Sequence, residues 1–314
     1  FSELGHSAIR ICVNDSIFND SASSTFFAHQ LPKFNRLPLL GRALASATGL
    51  TQKLQHILEE LRPNLLYVMD TNYVPVEVLK FAKSIGSRVF GQIASPPPGA
   101  WVMQQYDLVF SAMPSLVESL RQKGVNAQQL RLAFNPKYKS FAREWSDRDI
   151  STIFVGSLGR HHDHTYELLE QVNKADPNFL IFSPNPNLSK LSKLGLSSNF
   201  SGAAFGEKMY NLLGRSKIVL NRHASFAGGF AGNLRLFEGS GMGAAVLTES
   251  NSNLGEIFDS GQILTYSSPS EVFDIVSWGL ANDAALSRVA GSGQLRTITE
   301  HTIQKRAVQI LGHL

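Results

Sequence analysis

A single cysteine, Cys12, occurs in 314 residues. No disulfide can close within the chain and no cysteine-based metal site can form. Such sparing use fits a reducing compartment and a cytoplasmic setting. No run approaches the roughly 20 continuous apolar residues that a membrane helix needs. No signal peptide opens the chain either. Membrane contact is therefore expected to be peripheral at most, at the inner face. Charged residues make up only 17% of the chain and their formal sum is +4. The densest basic stretch, 137–148, is interrupted by acids. That pattern excludes the concentrated basic face of a nucleic-acid binder. Several signatures are missing outright: the G-x-S-x-G elbow, the H-E-x-x-H zinc motif, the P-loop and the kinase set. The chain begins Phe1-Ser2-Glu3 without an initiator methionine and reads as a piece of something longer.

What is present is apolar material in the right periods. Hydrophobic residues make up 43% of the chain, enough for real cores, and the length suggests two domains. Short apolar runs predict strands at 9–13, 65–69, 88–93, 108–112, 152–156, 179–182, 217–220, 244–248 and 263–266. Several are apolar throughout, as strands covered on both faces must be. Helical patterns fall between them at 51–61, 114–123, 164–174, 207–213, 234–241, 269–281 and 299–311. Pro114 and Pro269 stand at first-turn positions, with Ser268 as an expected N-cap. Alternation of this kind predicts parallel α/β sheets. The stretch 135–149 is polar and aperiodic, between a strand-like 130–133 and the strand at 152. It marks the expected boundary between domains at 1–140 and 150–298. A C-terminal helix over 299–314 is expected to pack back on the first domain.

Five segments carry chemistry. In Phe154-Val155-Gly156-Ser157-Leu158-Gly159-Arg160 a strand runs into a turn with two glycines, where backbone N–H groups can meet phosphate and Arg160 can add charge. The spacing matches no phosphate-loop signature, so an ordinary glycine turn stands beside that reading. Ile218-Val219-Leu220-Asn221-Arg222-His223 is a buried strand ending in polar groups, at the edge where open α/β sheets bind ligands. Polar surface residues after a core strand would look the same.

The third segment, 228–244, is the most informative. Its glycine-rich loop leads through Asn233, the expected N-cap, into a short helix and then a buried strand. A helix N-terminus at the carboxyl edge of a sheet attracts anions. Arg235 and Glu238 are three apart and share a face, so one can meet phosphate and the other sugar hydroxyls. A plain surface ion pair is the alternative, which the flanking small residues disfavour. The fourth, Arg160-His161-His162-Asp163-His164, holds metal-ligand residue types. They are nearly contiguous and cannot all face one ion, so phosphate or substrate contact or a solvated loop is expected, and no metal. In the fifth, Asp70 follows a strand where an acid or base would stand, with Gln92 nearby. It also reads as a loop aspartate capping a helix that starts near Val76.

Together these segments resemble a known family. NLRLFEGSGMGAAVLTE (233–249) is similar to the donor segment of group-1 glycosyltransferases, nearest the branch that includes spore-maturation protein CgeB and bacterial surface-polysaccharide enzymes. FVGSLG (154–159), MYNLLGRSKIVLN (209–221) and EHTIQKRAVQIL (300–311) are similar to other parts of that branch. YDLVFSAMPSLVESLRQKG (106–124) and LRLAFNP (130–136) extend the likeness into the first half. The resemblance implies an α/β protein of GT-B type, with two Rossmann-like domains facing a cleft. It implies a sugar moved from a nucleotide-sugar donor on the C-terminal domain to a glycan or lipid-linked glycan acceptor. Glu238 would hold the donor ribose. Gly156, Ser157 and Arg160 would lie near the diphosphate, with Asn233 and Arg235 close by and Asn221 lining the pocket. Arg160, Arg235 and Asp70 would be the catalytic groups, with no metal or other cofactor.

Two departures stand out. Many retaining relatives carry a second Glu eight positions before the one matched by Glu238, and Phe230 stands there. The chain also begins near the LGH (4–6) that usually closes the first helix of such proteins, so the N-terminal domain is expected to lack its first strand. The same departures suit a non-catalytic binding or scaffold module of this fold.

Overall fold

The computed structural model describes residues 1–11, 49–159, 164–223 and 228–314. They form two compact units, one of Phe1–Arg131 with Leu311–Leu314 and one of Leu132–Ile310. Each is an α/β layer structure built on a fully parallel sheet.

In the first unit the strands β1 (Leu65–Val68), β2 (Arg88–Gln92), β3 (Leu108–Ser111) and β4 (Ala127–Gln129) pair in sequence order. Helices α1 (Leu50–Leu61), α2 (Val76–Ser84), α3 (Ala100–Met103) and α4 (Pro114–Gln122) connect or cover them. Helix α1 buries Leu50, Leu54 and Leu58, one apolar residue per turn, against a core shared with Leu79 and Ala82 of α2. β3 is buried at every position, as a strand covered on both faces must be. The last residues join this unit: the Arg88 guanidinium donates to the His313 carbonyl at 3.3 Å, and the His313 ring lies 5.7 Å from that of Phe110.

The second unit orders its strands β6-β5-β7-β8-β9. These are β5 (Ile150–Val155), β6 (Leu180–Phe182), β7 (Ser216–Leu220), β8 (Ala245–Glu249) and β9 (Leu264–Tyr266). Its helices are α5 (Thr165–Ala175), α6 (Leu188–Lys193), α7 (Gly206–Arg215), α8 (Leu234–Gly241), α9 (Glu271–Ala281), α10 (Asp283–Glu300) and α11 (Ile303–Leu311). The two-residue period of a strand divides the core. Ile153, Val155, Val219 and Val246 face a cluster with α7 and α8, including Leu213, Leu236 and Phe237. Phe154, Ile218, Leu220, Ala245 and Leu247 face the other way, onto Leu168, Leu169 and Val172 of α5 and Val272 and Val276 of α9. From β5 the chain moves outward to β6, then jumps back across to β7. The order therefore reverses between β5 and β7, and a crevice opens at their carboxyl ends.

Several sequence expectations need correction. Of the strand expected at 9–13, residues 9–11 carry no strand, and Cys12 and Val13 lie outside the described residues. The strand-like 130–133 is irregular; its place is taken by β4, a polar edge strand. Helix 299–311 is broken at His301–Thr302, where Phe134 inserts: its N–H donates to His301 at 2.8 Å and its carbonyl accepts from Ile303 at 2.9 Å. Helix α9 begins at Glu271, two residues beyond Pro269, with Ser270 rather than Ser268 at its N-cap. The polar stretch 135–149 packs on the second unit. Tyr138 stacks on Tyr210 at 3.8 Å, and the buried Arg148 donates to the carbonyls of Ser216 at 2.6 Å and Met242 at 2.8 Å. No helix among the described residues is long and apolar enough to cross a membrane.

Candidate functional site

The crevice of the second unit is walled by the turn after β5, the end of β7 and the first turn of α8. Gly156 continues from β5, and its N–H donates to the Phe182 carbonyl at 3.0 Å. The Ser157 hydroxyl donates to the Asn185 side chain at 3.1 Å and accepts from the Gly159 N–H at 3.3 Å. The turn is thus closed by Asn185, a residue that sequence reasoning did not single out. Arg160, with His161, His162 and Asp163, lies outside the described residues.

Asn233 holds the N-cap position of α8, but its side chain does not cap the helix. Its amide donates instead to the Asn221 side-chain oxygen at 2.7 Å and to the Arg222 carbonyl at 3.0 Å. It locks the helix start to the end of β7 and leaves the first helical N–H groups without a side-chain acceptor there. Gly228 and Gly229 precede it with φ of 62° and 80°, a backbone that glycine alone adopts cheaply. Asn221 is buried and donates to the Thr248 hydroxyl at 2.8 Å.

Arg235 and Glu238 do form a pair, at 2.6 Å, but it is buried rather than on the surface: Glu238 is 4% exposed. The Arg235 guanidinium also donates to the Val155 carbonyl at 2.9 Å, tying α8 to the end of β5. The other Glu238 oxygen accepts from the Tyr210 hydroxyl at 2.9 Å. Burial, then the charge of Glu238, pushes the Tyr210 phenol well above its usual range. Burial alone would favour neutral Arg235, an effect that Glu238 and Tyr210 oppose. The attraction between the two charges offsets part of the cost of taking them out of water. The arginine is thus engaged with the protein rather than free to meet phosphate. Tyr210 lies in the family-like segment 209–221, yet its contact with Glu238 spans 28 positions and no local pattern marks it.

Beside the crevice, at the ends of β7, β8 and β9, lies a pocket of about 390 Å³. Arg222 donates to Glu249 at 3.1 Å, and the His223 N–H donates to the other Glu249 oxygen at 3.1 Å. The His223 ring meets the Thr248 hydroxyl at 3.2 Å. Burial lowers the His223 pKa to about 4, against a smaller raising influence of Glu249.

Asp70 lies in the first unit. Its carboxylate accepts from the Asn72 N–H at 3.0 Å and from the Asn72 amide at 3.1 Å, closing its own turn. It does not cap α2, whose N-cap is Pro75. Gln92 accepts from the Tyr67 hydroxyl.

Residues 160–312 match the family model described as glycosyl transferase-like. No curated protein matches the chain in sequence. Among solved structures, HepE from Anabaena in complex with UDP and glucose is similar at 13% identity and a TM-score of 0.66, covering 86% of this chain and 82% of that one. Sucrose-phosphate synthase from Thermosynechococcus elongatus is similar at 12% identity and a TM-score of 0.62, over 90% of this chain and 77% of that one. A putative UDP-N-acetylglucosamine 2-epimerase from Listeria monocytogenes is similar at 13% identity and a TM-score of 0.54, over 85% and 77%. Likeness at such identities shows the fold alone: the chain shares the GT-B fold of these structures, and residues 160–312 are similar to the glycosyl transferase-like family.

Proposed function

We propose that this protein transfers a sugar from a nucleotide-sugar donor to a hydroxyl acceptor, with the donor held in the second unit between β5 and β7. The observation that carries this is the construction of the crevice. At the reversal of strand order between β5 and β7, a glycine turn and a helix start stripped of its side-chain cap converge beside a carboxylate fixed by Arg235 and Tyr210. HepE, on the same fold, is bound to UDP and glucose.

In this mechanism the diphosphate is the leaving group. The N–H groups at the start of α8 and Arg160 neutralise it as the glycosidic bond breaks, without a metal ion. Gly156 and Ser157 let the backbone approach the phosphates, and Asn221 and Asn233 line the same crevice. Glu238 accepts from the ribose hydroxyls through lone pairs that its two protein partners leave over. Arg235 holds Glu238 in position and shares its field with the diphosphate. Asp70 is assigned to the acceptor side as the group that takes the proton of the attacking hydroxyl. The acceptor class is a glycan or lipid-linked glycan. The setting is bacterial polysaccharide or glycoconjugate synthesis of the CgeB-like branch, in the cytoplasm or peripherally at the inner membrane face.

Calorimetric titration with UDP, GDP, dTDP and CMP tests the donor site. One nucleotide should bind, and Glu238→Ala should weaken it by about tenfold or more, as expected for a hydrogen-bonded charged group. Unchanged affinity in Glu238→Ala would remove the site assignment. A second reading, a binding module without turnover, is favoured by Phe230 standing where many relatives have an acid. Nucleotide binding with no sugar transfer and no hydrolysis of the sugar nucleotide would select it.

A further inference from the structure

Buried polar atoms nearly always find partners, and a cluster that does not asks for an occupant. Three such atoms converge on the pocket at the ends of β7, β8 and β9. His223 and Tyr266 are 4% and 3% exposed. The His223 Nδ1, the Tyr266 hydroxyl and the Asn251 Oδ1 are all buried without a hydrogen-bond partner among the described residues. All three residues line the same pocket, with Arg222 and Glu249 between them.

The character of this wall decides what fits it. Its arginine is already paired with Glu249, and Glu167 adds a second carboxylate to the lining. A phosphate would meet more negative charge than positive. A neutral phenol, an imidazole nitrogen and an amide oxygen instead offer the mixed donors and acceptors that hydroxyl groups need. A volume of about 390 Å³ lies within the usual range of small-molecule pockets. A hydrogen-bonded chain from Asn233 through Asn221 and Thr248 to His223 runs from the crevice to this pocket. An occupant here would therefore sit next to a nucleotide at the switch point.

We infer that this pocket holds the glycosyl unit of the donor, with the Tyr266 hydroxyl, His223 and Asn251 taking its hydroxyl groups. The inference rests on the nucleotide-sugar reading and deepens it: the role of the acid missing at Phe230 passes to the hydroxyl-binding groups of Tyr266, His223 and Asn251. Such a wall rejects a sugar lacking the matching hydroxyl, because its buried polar groups would then stay unpaired.

Calorimetry separates the two ideas. UDP, GDP, dTDP and CMP are titrated beside UDP-glucose, GDP-mannose, dTDP-glucose and CMP-sialic acid, on the wild type, Tyr266→Phe and Asn251→Ala. Thermal melts confirm folding, and Asn251→Ala carries the test if Tyr266→Phe does not fold. We expect both variants to keep wild-type affinity for the free nucleotide and to bind its sugar conjugate about fivefold more weakly, the loss of one net hydrogen bond. Equal loss for both ligands, or loss for neither, overturns the pocket assignment while the nucleotide site stands. A wild type that binds no nucleotide overturns both.

Discussion

His223 shows how one residue ties burial to pH. Its imidazole is 4% exposed and its pKa is lowered to about 4 by burial, against about 6.5 in an unfolded chain. Above pH 6.5 the ring is neutral in both states and its contribution to stability is complete. Between pH 6.5 and 4 the unfolded state takes up a proton that the folded state refuses, so this contribution drains away as pH falls. The loss should reach on the order of 3 kcal/mol at pH 4. Urea unfolding at steps from pH 7 to 4.5 should show a steeper decline in the wild type than in His223→Gln. Parallel declines would mean that the ring is not held neutral. Nothing in Arg222-His223-Ala224 announces this. The ring meets Thr248 and the backbone N–H meets Glu249, 25 and 26 positions further on. By contrast, Arg235 and Glu238 were legible as partners, because three residues along a helix fix their neighbourhood. Their burial was not legible, because Tyr210 and Val155 come from other elements.

At the scale of elements, packing explains which glycines are needed. A Cβ on Gly241 of α8 would lie 2.4 Å from the fully buried Phe134 ring. Gly241→Ala should therefore cost about 2 kcal/mol of stability through overpacking, even though alanine favours a helix. Gly291→Ala in α10, where nothing lies within 4 Å, should gain up to about 1 kcal/mol. Denaturant midpoints for the two variants should move in opposite directions; movement in the same direction would contradict the packing account. The same physics sorts what the sequence revealed. Strands such as β5, β7 and β8 contain the apolar runs 153–155, 218–220 and 245–247 and could be read directly. β4, Ala-Gln-Gln at a sheet edge, has no such run. Helix α10 escaped because Gly291, Ser292 and Gly293 interrupt its pattern, yet Gly293 is required: a Cβ there would lie 2.3 Å from the Gln262 carbonyl.

At the scale of the whole molecule, the fold class followed from strand–helix alternation, whereas the reversal of strand order between β5 and β7 did not. Strand order is decided by which helix covers which face. That depends on contacts such as Ile218 on α9 and α10 and Val219 on α8, not on any local signal. The reversal is what gives the second unit its crevice. The central claim is that a nucleotide sits there, against the turn after β5 and the start of α8. Amide hydrogen exchange, with and without the nucleotide selected by calorimetry, tests this most directly. We predict slowed exchange at 156–159 and 234–237 in the second unit, with the strands of the first unit unchanged. Slowing confined to the first unit, or binding that leaves both segments untouched, would contradict the account.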